Sequence, residues 1–168
     1  MSATAAMIQE LEQESATTRR VLERVPSDKL AWKPHDKSMS LGTLAMHVAG
    51  VPGFITDWAM QDTVTFSGEG GGPAAKDTAE ILAAHDASVA KAKGNLNAIG
   101  DGGLGTMWAM KLPDGNTAMS MPKGALLRSI ALNHLYHHRG QLSVYLRLLN
   151  VPVPSIYGPS ADEGPFSK

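Results

Sequence analysis

Apolar residues recur along this chain at helical spacing in four places, and each run carries a signal for where it starts or stops. From about Ala3 to Val25, the residues Met7, Leu11, Thr18, Val21 and Val25 share one stripe, and Pro26 ends the run. Ser40 is placed to cap a second helix in which Leu44, His47, Val51, Phe54 and Trp58 line one face. Pro52 falls inside that helix between Gly50 and Gly53. Its ring removes one backbone bond and crowds the carbonyl of Val48, so a kink or break is predicted there. A third helix opens at Asp77, with Glu80 three residues on in a capping-box arrangement, and turns Leu82, His85, Val89, Leu96 and Ile99 inward. The fourth and longest begins after Ser120, carries Pro122 in its first turn, and runs to about Asn150 before Pro152 and Pro154 stop it.

Counting 100° per residue from His134, the residues Leu127, Ile130, His138, Gln141, Tyr145 and Leu148 all fall within about 40° of it. That stripe predicts histidines that face the core. Between the second and third helices, Ser67 to Pro73 is a loop by composition. Between the third and fourth, Pro113-Asp114-Gly115-Asn116 reads as a turn flanked by Trp108, Met110 and Leu112 on one side and Thr117 to Met119 on the other, which predicts a short hairpin. The tail from Pro152 holds too many prolines and glycines for a fifth long helix. The fold class expected is all-α, a four-helix bundle.

With 168 residues and 43% hydrophobic content, the chain is expected to form one domain over residues 1–168. Fifteen basic and sixteen acidic residues leave a net charge of -1 without any block of like charge, which argues against nucleic acid and anionic membranes as partners. The first residues show no basic start followed by an apolar run, so a cytoplasmic protein is the default expectation. There is no cysteine. Any transition-metal site must therefore use nitrogen and oxygen donors, and the six histidines become the residues to follow.

Three of them lie within five residues, in His134-Leu135-Tyr136-His137-His138. His134 and His138 differ by about 40° around a helix and about 6 Å along it, so both can point at one ion. His47, from a different helix, is the natural third ligand. Three nitrogens leave positions open for water or substrate, the arrangement of a catalytic rather than a structural site. Taken singly, each histidine is better read as a satisfied core residue; three on inward faces shift the reading to a metal site. His137, offset by about 60°, is a candidate hydrogen-bond partner of the ligands. Gln141, one turn below His138, is a candidate to orient a ligand, and Glu14 is another support candidate. His85 reads as core or pocket lining, His35 as exposed, and Arg139 as pointing away from the histidine face toward an ion pair. Gly140 suggests close approach of another helix.

Several familiar sites are absent. Leu135 stands where a zincin needs its glutamate, and no histidine has a glutamate three residues before it, as a ferritin-like di-iron site requires. Haem ligation does not account for three histidines. Gly100 to Gly105 has a dinucleotide-binding spacing but follows a helix, so it is read as a loop.

Leu30-Ala31-Trp32-Lys33-Pro34, Ser38 to His47, His134 to Leu142, Val151 to Pro154 and Tyr157 to Glu163 together closely resemble the DinB-like (DinB/YfiT) family over nearly the whole chain. The resemblance implies a four-helix bundle with a long crossover connection, often a homodimer, and one divalent metal ion on one histidine of the second helix and two of the last. Those positions are His47, His134 and His138. Zinc or nickel is the metal expected by analogy, with iron or manganese compatible. The activity implied is that of a metal-dependent transferase which activates a low-molecular-weight thiol for attack on an electrophilic substrate, in detoxification or stress. Trp58, Tyr145 and Trp108 are then expected to shape the pocket for the small molecule. A hydrolase-like enzyme that activates water and a non-catalytic metal-binding bundle are the alternatives.

Overall fold

A computed structural model describes residues 2–66, 68 and 74–164. Of the loop expected at Ser67 to Pro73, all but Gly68 lies outside the described residues. Helix α1 (Ala3–Leu22) is capped by Ser2, whose hydroxyl accepts from the Ala5 amide. A second cap comes from a distance: the Asp101 carboxylate accepts from the amides of Ala3 and Thr4 and from the Thr4 hydroxyl, at 2.7–3.0 Å. These bonds hold the Asp101 carboxyl down at about 2. The predicted stripe of α1 is buried at Leu11, Thr18 and Val21, and Glu14 lies among them.

Helix α2 (Leu41–Ala59) starts at Ser40, which accepts from Thr43 N as its cap. Of the kink or break predicted at Pro52, the break does not occur: the helix runs on through it. Ser88 of helix α3 (Thr78–Gly103) accepts from Gly53 N at 2.8 Å and donates to the carbonyl of Gly50 at 3.1 Å, supplying partners on both sides of the proline. Gly53 makes room for this contact, because a Cβ there would stand 3.0 Å from the Ser88 carbonyl oxygen. α2 is buried on most of its circumference, and of its predicted stripe Phe54 is 53% exposed.

Asp77 caps α3 as predicted, accepting from Glu80 N, while the Glu80 carboxylate accepts from Lys76 N. The helix turns Ile81, His85, Ser88, Ala92 and Leu96 into the core; Leu82, Val89 and Ile99 are only partly buried. Gly100, at φ 57°, interrupts the helix, and Asp101–Gly103 add a short helical turn where the sequence suggests loop. Helix α3, not a strand, leads into this glycine run, so it is no dinucleotide-binding turn.

The all-α expectation holds in part: the structure is mostly helical, and beside the helices stands a three-stranded sheet of order β1-β2-β3, larger than the expected hairpin. The predicted hairpin is present as β2 (Met107–Lys111) and β3 (Thr117–Pro122), antiparallel with an irregularity at Met110/Lys111. β1 (Thr63–Thr65), which no periodicity announced, joins parallel to β2. Three residues are too few to show an alternation. Trp108 of β2 is fully buried and stacks on Trp58 at 6.0 Å, fastening the sheet to α2.

The last helical rod begins at Lys123, after Pro122 has closed β3. It comprises α4 (Lys123–Leu126), a π-helical stretch (Leu127–Leu132) and α5 (Asn133–Leu148). A π turn holds one residue more than an α turn, so the buried stripe moves along by one position. Leu127 is buried as predicted, Ala131 and Leu132 are buried within the π-helical stretch, and along α5 the buried residues are Leu135, Arg139, Leu142 and Leu146. Each lies one place after His134, His138, Gln141 and Tyr145. The buried stripe thus sits about 110° from His134, and the expectation that the histidines face the core is corrected. They sit at its margin, half-buried, while Leu148 is 57% exposed.

Beyond α5, Asn150 at φ 56° turns the chain, and residues 151–164 run without helix across α1 and α5. Asp162 pairs with Arg147, Glu163 pairs with Arg20 and Arg24, and Tyr157 reaches in to Glu14 and Arg139. Between the four principal helices lies a small, partly open apolar pocket of about 20 Å³, lined in part by Leu11, Pro52, Thr56, Leu132 and Leu135. That is room for about one water and far below a substrate pocket. No helix among the described residues is long and apolar enough to cross a membrane.

Candidate metal centre

α2 contributes His47 and α5 contributes His134 and His138, one turn apart, and the two helices pack so that the three rings converge. One ring nitrogen from each lies within 4.8 Å of the others. His47 Nε2 and His134 Nε2 are 2.9 Å apart. Two nitrogens about 2.1 Å from a tetrahedral ion would be about 3.4 Å apart, so a small opening of this pair admits a cation. The ring centroid of His138 is 4.4 Å from that of His47 and 4.3 Å from that of His134. Among the described residues, no other group of three such side chains has this proximity.

Electrostatics favours the ligating form. Burial, followed by repulsion from His138 and His134, pushes His47 down to about 4. Burial and the neighbouring imidazoles His138 and His137 lower His134 as well. Burial also lowers His138, although its bond to Gln141 pulls the other way. All three rings are therefore neutral at pH 7, with a lone pair on one nitrogen each. The donor set is nitrogen only, and this fits a borderline divalent cation.

The support candidates separate. The Oε1 of Gln141 lies 2.7 Å from His138 Nδ1. His137 is exposed, with its ring centroid 4.9 Å from that of His138. Tyr145 packs edge-on against Trp32 and donates to the Met39 carbonyl, bracing the segment that leads into α2. Trp58 is corrected as a pocket residue: it belongs to a cluster with Phe54, Phe66 and Trp108, about 16 Å along α2 from His47. His85 is buried beside Asp86 and lies outside the histidine group.

Glu14 is corrected too. Its carboxylate is 2.7 Å from the Arg139 guanidinium and accepts from the Tyr157 hydroxyl at 2.9 Å, away from the histidines. Arg139 does point away from the metal face and into an ion pair, but in the core, where it is 1% exposed. Its burial could not be read from the sequence, because a charged residue gives no apolar periodicity. Gly140 is exposed and a Cβ there would meet nothing within 4 Å, so no helix approaches it.

Comparison with known proteins agrees with this architecture. YrdA of Bacillus subtilis strain 168, described as uncharacterized, is 27% identical over 155 residues, covering 89% of this chain and 85% of its own. A DinB-like protein from Bacillus cereus superimposes with a TM-score of 0.71 at 20% identity, over 90% of this chain and 95% of that one. A second, YjoA of Bacillus subtilis, gives 0.67 at 16% identity, over 92% and 99%. The sequence model of the DinB family matches residues 1–165, and the chain belongs to that family.

Proposed function

We propose that His47, His134 and His138 hold one divalent metal ion and that the protein is a metal-dependent transferase directing a small thiol at an electrophilic substrate, in detoxification or stress. The observation that carries this reading is the convergence of three neutral ring nitrogens from two helices within 4.8 Å, on a half-buried face. Zinc or nickel suits three imidazoles best, and iron or manganese is compatible with them. When bound, such an ion supplies Lewis acidity that lowers the pKa of a thiol or a water at an open position.

The chain's own part is to hold and shield. α2 and α5 fix the rings, and their half-burial keeps water from the protein side while leaving an approach from solvent. None of the three donors is charged, so none offsets the charge of a cation. With no cysteine in the chain, the thiol must be a second substrate. We read the four helices as a bundle with a long crossover, and the protein as a cytoplasmic homodimer, by analogy with the family.

Protein prepared without an affinity tag should carry about one zinc or nickel per chain by elemental analysis, lost in His134→Ala and His138→Ala. Stoichiometric metal absent from the wild type, with those variants binding added metal equally well, would sink the proposal. Turnover of an electrophilic probe should require both metal and thiol and disappear in His47→Ala. Turnover that needs no thiol would replace the transferase with a water-activating hydrolase.

A further inference from the structure

The three candidate ligands are not equally prepared. His138 Nδ1 lies 2.7 Å from Gln141 Oε1, and an amide oxygen can only accept. Nδ1 must then carry the ring proton, which leaves the lone pair on Nε2. The contact is an i,i+3 pair on one side of α5, so the helix itself keeps the two groups in reach. His47 and His134 are different. Their Nε2 atoms face each other at 2.9 Å, and in a hydrogen bond between neutral rings one of them carries its proton on Nε2. Neither has a hydrogen-bond partner on Nδ1 among the described residues. One ring of that pair therefore has its proton on the nitrogen a metal would need.

We propose that Gln141 is a positioning residue that makes His138 the preset ligand of the three, by holding the proton on Nδ1 and leaving Nε2 open. The inference rests on the metal-site reading above, and it assigns an order: His138 offers its lone pair as it stands, whereas the His47–His134 pair must first open and rearrange one proton. Gln141 is exposed, so its replacement should touch the site and spare the fold. The opposite orientation of the amide would place its NH₂ on Nδ1 and select the wrong tautomer, which makes the claim directly observable.

The test uses metal-free full-length protein labelled with ¹⁵N-histidine at pH 7.5, together with a zinc titration against a chromophoric chelator. Long-range ¹H–¹⁵N spectra should show His138 protonated on Nδ1 in the wild type. Gln141→Leu should shift that ring toward the other tautomer and weaken zinc binding by about 10- to 100-fold, the usual effect of losing such a partner. Gln141→Glu, which keeps the acceptor, should restore both, with all three proteins melting alike. Wild-type His138 protonated on Nε2, or Gln141→Leu unchanged in tautomer, overturns the inference. A changed tautomer with unchanged zinc affinity overturns the positioning role. If wild-type protein binds no zinc at all, the metal reading fails, and the spectra of the metal-free proteins still decide the claim about Gln141.

Discussion

Taking one charge out of the core tests how this fold holds its last helix. The Arg139 guanidinium is 1% exposed; it meets the Glu14 carboxylate at 2.7 Å and donates to the Glu14 carbonyl at 3.2 Å, the Thr18 hydroxyl at 3.0 Å and the Tyr157 hydroxyl at 2.6 Å. It also lies 5.4 and 5.1 Å from the ring centroids of Tyr136 and Tyr157. In Arg139→Met, the buried carboxylate keeps only the Tyr157 hydroxyl. Breaking a buried pair from one side costs about 3–5 kcal/mol, because the remaining charge stays desolvated without its counter-ion. For a chain of this size that is a fall of roughly 6–20 °C in Tm. Glu14→Leu should cost a similar amount. The double variant removes both charges, and should be less destabilised than the sum of the singles by at least about 1 kcal/mol. Equilibrium urea unfolding, with unchanged slope, measures all four corners of the cycle. Single variants that each lose under about 1 kcal/mol, or a strictly additive double, would refute the reasoning.

Two glycines give opposite expectations. Gly53→Ala drives a methyl to 3.0 Å from the Ser88 carbonyl and hydroxyl and should cost on the order of 1–3 kcal/mol, whereas Gly140→Ala meets nothing and should stabilise α5 by up to about 1 kcal/mol; urea unfolding of both checks the close α2–α3 crossing. The buried His85 predicts a pH effect in metal-free protein. Burial lowers its folded pKa below 6.5, so the unfolded chain binds the extra proton first; its contribution to stability is full above pH 6.5 and is lost as the pH falls below it. The loss of stability between pH 7.5 and 5.5 should be smaller in His85→Gln than in wild type, and equal losses would count against a buried neutral ring.

Helix starts were readable wherever a side chain caps a backbone amide locally, as Ser40 and Asp77 do. The hairpin was readable from its turn residues, and the pairing of His134 with His138 from their spacing, which any α-helix converts into one face. These depend on neighbours within four residues, and that is what a sequence states directly. The brace that Ser88 gives α2 on either side of Pro52 comes from thirty-six residues away, and β1 is a strand by its pairing with β2.

The same division runs through the site. The sequence by itself determined which residues have the chemistry: histidines in helices, and no cysteine to compete with them. Only the tertiary structure decided that the π-helical stretch advances the buried face by one residue, so that Leu135, Arg139, Leu142 and Leu146 take the core and the histidines are left at its edge. A π turn is held by packing rather than written in any residue type, and 100° counting runs straight through it. That one-residue advance is what leaves His134 and His138 half-buried against His47, sheltered enough to stay neutral and open enough to be reached.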